Sequence, residues 1–318
     1  MVECTGLENR RWRKPSVSSN LTASARKMAA ALRRCSAGPL VLALALALAA
    51  GAAQAGEYRR AAFHSALLKR DVPMVVYVPS GFDASDRRYP VTYLLHGAGG
   101  SEIDWRNEVD LVAWLDDLIA RGAVRPRLFV MPTLGPHTWW TDGAASPAHT
   151  AFLEELLPFV ERTFRATDDG RSRAVVGISM GGYGAVTLAL AAPERFCAVG
   201  ALAPAVYDPL PPAESAARTS PQFQRDGRFD EARWQAANYP LLIEGYRTAA
   251  RQVAFWIGTG DHDHLGIAVE SAKLHWRLHA IQPQRVELRV IDGGHDWVPW
   301  RALLPELLDF TERHCRAG

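Results

Sequence analysis

The feature that most limits how this chain can fold is a rhythm. Short, mostly apolar, β-branched runs alternate with stretches of helical periodicity. The runs are 72–78 (VPMVVYV), 91–95 (VTYLL), 127–131 (RLFVM), 173–178 (RAVVGI), 197–203, 252–258 (QVAFWIG) and 285–291 (RVELRVI). Strands without polar alternation need cover on both faces, the habit of parallel sheets under helices. Between them, residues 107–121 set Val109, Val112, Leu115, Leu118 and Ile119 on one helical face, and 148–165 do the same with Phe152, Leu156, Phe159 and Val160. Residues 181–192, 264–280 and 299–315 follow suit. A further strand, 59–68, lies only a few residues before 72–78, which predicts an antiparallel start. The expectation is an α/β fold: a mostly parallel sheet flanked by helices on both faces, with right-handed crossovers.

Residues 1–55 stand outside this rhythm. They hold eight Lys and Arg against two acidic residues, a net +6, whereas the remaining 263 residues carry a net −4. The run 39–52 (PLVLALALALAAGA) is shorter than the ~20 residues of a membrane span. Arg33 and Arg34 precede it and Ala53-Gln54-Ala55 follows, which reads as a secretory signal peptide cleaved after Ala55. Met28 is then the expected start of that peptide, over 28–55, with a secreted or periplasmic product, 56–318, that has no stable membrane span. A mildly acidic body argues against nucleic acid as a partner, because phosphate recognition needs a basic surface. Of the four cysteines, Cys197 and Cys315 remain after cleavage. They are expected to stay unpaired, since a core of this size needs no staple, with one bridge as the alternative in an oxidising compartment.

The chemistry concentrates at residues 177–184, GISMGGYG. This is a G-x-S-x-G pattern that follows an apolar run and leads into the helical pattern AVTLALA. A sharp strand-to-helix turn needs small residues around its nucleophile, and it lifts Ser179 to the N-terminus of a helix, where negative charge is favoured. A serine hydroxyl is a weak nucleophile and needs a base. In this arrangement the chain order is Ser, acid, His. His295 follows run 285–291 and a Gly-Gly turn and is the expected base; His262 and His264 also lie downstream of Ser179 but lack that setting. With a strand ending at Gly258, the following loop offers Asp261 and Asp263, and Asp261 is preferred. The expected oxyanion donors are the N–H of Met180 and that of Ala98, in the glycine-rich turn after 91–95. Trp105, Trp139 and Trp140 are expected to bind the substrate. The DHDH run at 261–264 is not read as a metal site, because successive residues rarely face one centre, and no cofactor is expected. Residues 204–250, with PLPP at 209–212, form an insertion: a lid or substrate wall, or a solvated excursion.

Taken together, YLLHGAGGSEIDW (93–105), MPTLGPHTWWTD (131–142), GISMGGYGA (177–185), IGTGDHDHL (257–265) and GGHDWVPW (293–300) resemble the esterase family of α/β-hydrolases. That family contains S-formylglutathione hydrolase (esterase D), the feruloyl esterases and the mycolyl-transferring antigen 85 proteins. The resemblance covers about 59–312. It implies an α/β-hydrolase fold, a triad of Ser179, Asp261 and His295, an oxyanion hole at Ala98 and Met180, and a Trp139-Trp140 loop lining the acyl or leaving-group side. The implied function is an exported serine carboxylesterase acting on a small-molecule ester. The alternatives are an acyltransferase to a sugar or lipid alcohol, or a thioesterase of the formylglutathione type. The formylglutathione enzymes carry Ser-Gly-Leu-Thr-Cys where this chain has His96-Gly97-Ala98-Gly99-Gly100, and antigen 85 proteins use Glu as the acid.

Overall fold

Eight strands in the order β1-β2-β4-β3-β5-β6-β9-β10 make the central sheet. The structure, a computed structural model, describes residues 55–315. The expected leader, apart from Ala55, lies outside the described residues. Strand β1 (Glu57–Ser65) pairs antiparallel with β2 (Arg70–Val78), and β2 pairs antiparallel with β4 (Leu128–Pro132). The other pairs, among β3 (Val91–Leu95), β4, β5 (Arg173–Ile178), β6 (Ala198–Leu202), β9 (Ala254–Gly260) and β10 (Val286–Ile291), are parallel. Every residue of β3, β4, β5, β6 and β9 is buried, as continuous apolar runs require. Edge strand β1 alternates between exposed and covered positions, so its outer face meets solvent.

Helices flank the sheet. The stretch expected as one helix over 107–121 is two, α1 (Asp104–Glu108) and α2 (Leu111–Ala120). Asp110 breaks it by capping the second, its carboxylate accepting from Ala113 N. Helix α3 (Ala148–Ala151) runs through a π turn (Phe152–Leu156) into α4 (Leu157–Thr163). Helix α5 (Met180–Ala191) is buried along all but its last residue, which is why its sequence lacks a polar face. The insertion contains a small hairpin of β7 (Gln224–Arg225) and β8 (Arg228–Phe229), then α6 (Glu231–Ala237) and α7 (Tyr239–Tyr246). Helices α8 (Ile267–His279) and α9 (Trp297–His314) complete the set. Among the described residues, no helix is long and apolar enough to cross a membrane.

One expectation about the scaffold is corrected. Cys197 and Cys315 form a disulfide across 118 residues, with their Cα atoms 5.1 Å apart. Packing brings them together: Leu303 and Leu307 of α9 are buried in the core, and Leu307 fills the space left by Gly200 of β6. The end of α9 therefore lands beside the residue that precedes β6, and Arg125 holds it there by donating to the Cys315 carbonyl.

Because β3, β5, β9 and β10 are parallel, their carboxyl ends share one sheet edge. His96, Ser179, Asp261 and Asp292 are the first residues beyond those ends, so loops distant in sequence converge there.

Candidate active site

Ser179 sits in the turn between β5 and α5 at φ 53° and ψ −116°, a left-handed conformation that a side chain adopts only when its surroundings impose it. Those surroundings are backbone. A Cβ on Gly177 would lie 2.1 Å from the Gly181 carbonyl oxygen, and one on Gly181 would lie 2.3 Å from that of Leu95. Glycine is required at both because strand, turn and helix touch without side chains between them. Ser179 N donates to Leu202 O at 2.9 Å, which ties the turn to β6. The first N–H groups of α5, that of Met180 included, have no carbonyl one turn back within the helix, so they are available to an anion beside Ser179.

His295 reaches the same point from beyond β10. Its Nε2 lies 2.9 Å from Ser179 Oγ, and its Nδ1 lies 2.7 Å from Asp263 Oδ2. The Asp263 side chain is fully buried, and its second oxygen accepts from Leu265 N at 2.9 Å. A hydroxyl, an imidazole and a buried carboxylate are thus joined in one chain of hydrogen bonds. Nδ1 bound to the carboxylate leaves Nε2 with its lone pair toward the serine, the arrangement a general base needs.

The expected acid, Asp261, is elsewhere. It is half exposed and accepts from Gly293 N at 3.2 Å, while its own N–H donates to Ile291 O at 2.9 Å. The cause is strand length. Strand β9 ends at Gly260 rather than Gly258, so the loop begins two residues later and the inward-facing carboxylate is displaced by the same two residues, to Asp263. The DHDH run is divided by this turn. Asp261 and His262 group with Asp292 on the exposed rim, their donor atoms within 4.8 Å of one another, while Asp263 points inward.

Around Ser179 lies a cavity of about 350 Å³ lined by Gly97, Ala98, Trp139, Trp297, Trp300 and Tyr207, and also by Asp104, Glu214, Ser215 and His264. Gly97 packs against Ser179, for a Cβ there would lie 3.6 Å from Ser179 Cβ. The following turn is held by Gly99 N donating to Pro136 O at 2.7 Å. His96 is buried beneath it with Nδ1 2.8 Å from Gly97 O, and burial holds its pKa below the usual histidine value. Of the three expected tryptophans only Trp139 lines the cavity. Trp105 and Trp140 are buried behind it. Trp105 Nε1 donates to Leu95 O at 3.2 Å and Trp140 Nε1 to His96 O at 3.3 Å, so both brace the floor of the site. Trp139 and Trp140 have φ of 53° and 54°, two consecutive left-handed residues.

Trp297 and Trp300 line the cavity beside Trp139, and of these Trp300 is not among the expected residues. Asp296 caps α9 by accepting from Val298 N at 2.7 Å, which fixes the helix start so that the Trp300 ring lies 5.2 Å from that of His295. The 204–250 segment contributes Tyr207, Glu214 and Ser215 to the cavity lining. Gln222 fastens it, its amide donating to the carbonyls of Thr138, Thr141 and Ser146. Phe223 and Trp234 then pack edge-on against Trp139, 5.7 Å between ring centres in each case.

The family model described as "Putative esterase" matches residues 65–311. The chain belongs to this esterase family. It is 31% identical over 148 residues to an endo-1,4-beta-xylanase/feruloyl esterase of Xylanibacter ruminicola, a match covering 42% of this chain and 20% of that protein. It is 38% identical over 119 residues to an esterase of Mycobacterium tuberculosis, covering 36% and 25%. The matched segments thus span a quarter or less of those relatives. Among solved structures, a ferulic acid esterase superposes with a TM-score of 0.70 at 24% identity, over 81% of this chain and 98% of that one. An S-formylglutathione hydrolase from Staphylococcus aureus gives 0.63 at 17%, over 80% and 96%. These likenesses establish the α/β-hydrolase fold for this member of the esterase family.

Proposed function

We propose that the protein is an exported serine carboxylesterase whose triad is Ser179, His295 and Asp263. The observation that carries the reading is the continuous hydrogen-bonded path from Ser179 Oγ through His295 to buried Asp263. Ser179 attacks an ester carbonyl while His295 Nε2 takes its proton. The buried Asp263 carboxylate stabilises the imidazolium that forms. The N–H groups of Met180 and Ala98 hold the oxyanion. His295 then returns the proton to the leaving alcohol, and water resolves the acyl-enzyme by the same path. No step needs a cofactor.

The lining supports a neutral aromatic acyl group. Trp139, Trp297, Trp300 and Tyr207 present ring faces and edges, and two matched proteins are named as ferulic acid or feruloyl esterases. Asp104 and Glu214 also line the cavity while, among the described residues, no Lys or Arg does, which disfavours glutathione thioesters, since glutathione carries two carboxylates. Export is supported by the leader sequence and by the disulfide, a bond that persists in oxidising compartments.

The test compares turnover of methyl hydroxycinnamates, p-nitrophenyl esters of increasing chain length and S-formylglutathione by the exported enzyme and by Ser179→Ala. Hydrolysis of the aromatic esters by wild type alone is expected. Equal rates for wild type and variant would refute the assignment, and transfer of the acyl group to glycerol or trehalose faster than to water would convert it to an acyltransferase.

A further inference from the structure

At the opposite end of the molecule's described chain, Gly56 is buried and its N–H is shared between both oxygens of Asp116, at 3.1 Å and 2.9 Å. Asp116 lies on α2 and also accepts from the Tyr77 hydroxyl at 2.7 Å. Burial raises the Tyr77 pKa, so the phenol remains a donor at any ordinary pH. A Cβ on Gly56 would lie 2.5 Å from Tyr77 Cε2 and 2.8 Å from Asp116 Oδ1, so only glycine fits the socket. Among the described residues, no Lys, Arg or His side chain forms an ion pair with this carboxylate.

Oδ1 also accepts from Tyr77, so among the described residues the shared amide hydrogen is all that Oδ2 receives. An ammonium has three hydrogens and a full charge, and it would satisfy both oxygens at the same nitrogen position. Gly56 is also the first residue after Ala53-Gln54-Ala55, the small-residue site at which the leader is expected to be cut. We infer that cleavage after Ala55 converts the Gly56 nitrogen into an α-ammonium that pairs with Asp116, so that the mature N-terminus is locked into a socket shaped for it. The lock ties the first residue before edge strand β1 to helix α2, which follows the oxyanion turn through α1. It makes processing a step that strengthens the fold of the exported form. The inference rests on the export reading above, not on the esterase chemistry.

The full 318-residue chain would be expressed in an exporting bacterium and the exported product sequenced from its N-terminus. Gly56 is the expected first residue. A retained leader would remove both the export reading and this inference, and a mature terminus other than Gly56 would remove the socket alone. The exported protein would then be acetylated with limiting acetic anhydride near neutral pH and read peptide by peptide. After Ala55 the only competing amines are Lys69 and Lys273. A free α-amine has the lower pKa and should react ahead of exposed Lys69. In the wild type the order is expected to reverse. In Asp116→Asn the Gly56 amine should react about tenfold faster than in wild type, the loss of one charge-assisted bond, with Lys69 unchanged. In Tyr77→Phe, which keeps the carboxylate, protection should persist. Labelling of Ser179 by a fluorophosphonate reports that each variant is folded. A Gly56 amine that reacts faster than Lys69 in the wild type would overturn the socket even if Asp116→Asn failed to accumulate.

Discussion

The two halves of the candidate catalytic relay are built by different means. The turn holding Ser179 is enclosed by backbone: Gly177, Gly181 and Leu95 touch one another, and no charged group takes part in the turn. The loops holding Asp263 and His295 stand at the sheet's edge, where Asp261, His262 and Asp292 lie in solvent while Asp263 turns inward to His295. The first half is fixed by steric exclusion, which admits one residue type per position. The second is fixed by where a strand stops, which two neighbouring carboxylates satisfy almost equally well in sequence.

That difference sets what was legible. Strands β3 and β5 coincide with the runs 91–95 and 173–178, because continuous burial begins and ends with the apolar residues themselves. Strand β9 extends two residues past its expected end through Thr259 and Gly260, where pairing with Val290 and Ile291 of β10 carries the strand through a glycine that is itself a weak strand former. The carboxylate that meets His295 shifted with it, from Asp261 to Asp263. Trp105 and Trp140 were misplaced for another reason: a tryptophan behind a cavity and one in its wall have the same sequence signature, and only the partner of the indole N–H separates them. The disulfide stood in the sequence only as the alternative, because pairing depends on how α9 lies over β6, a tertiary fact with no local signal.

The sharpest way to break the comparison is at its rigid half. Ser179→Ala should reduce kcat on the order of a million-fold with the fold intact, as loss of a triad nucleophile does. Turnover above one-hundredth of wild type would mean that another group attacks the ester. At the loop half, Asp263→Asn should reduce kcat about ten-thousand-fold with little change in KM, because an amide at that position favours the wrong imidazole tautomer. A fall in KM affinity with kcat preserved would place Asp263 in binding instead.

Stability should follow the scaffold rather than the site. Cys315→Ser opens a closed loop spanning 118 residues and should cost about 2–5 kcal/mol in urea unfolding of the oxidised enzyme. The residual activity per folded molecule should match wild type, since neither cysteine approaches the cavity. Wild type unfolding identically with and without reductant would remove the staple from the account.

The smallest effect is expected where the sequence pointed first. Asp261 is half exposed, and its carboxylate accepts one backbone N–H, from Gly293, two residues before His295. Asp261→Asn keeps an acceptor oxygen at that position and removes only the charge, so kcat should stay within about threefold and stability within about 1 kcal/mol. The pair Asp261→Asn and Asp263→Asn therefore separates the two carboxylates by some three orders of magnitude on one substrate. If the two variants lost activity alike, the loop would have to rearrange during turnover so that Asp261 takes the inward place. The two-residue extension of β9 would then describe a resting arrangement of the loop rather than the working one.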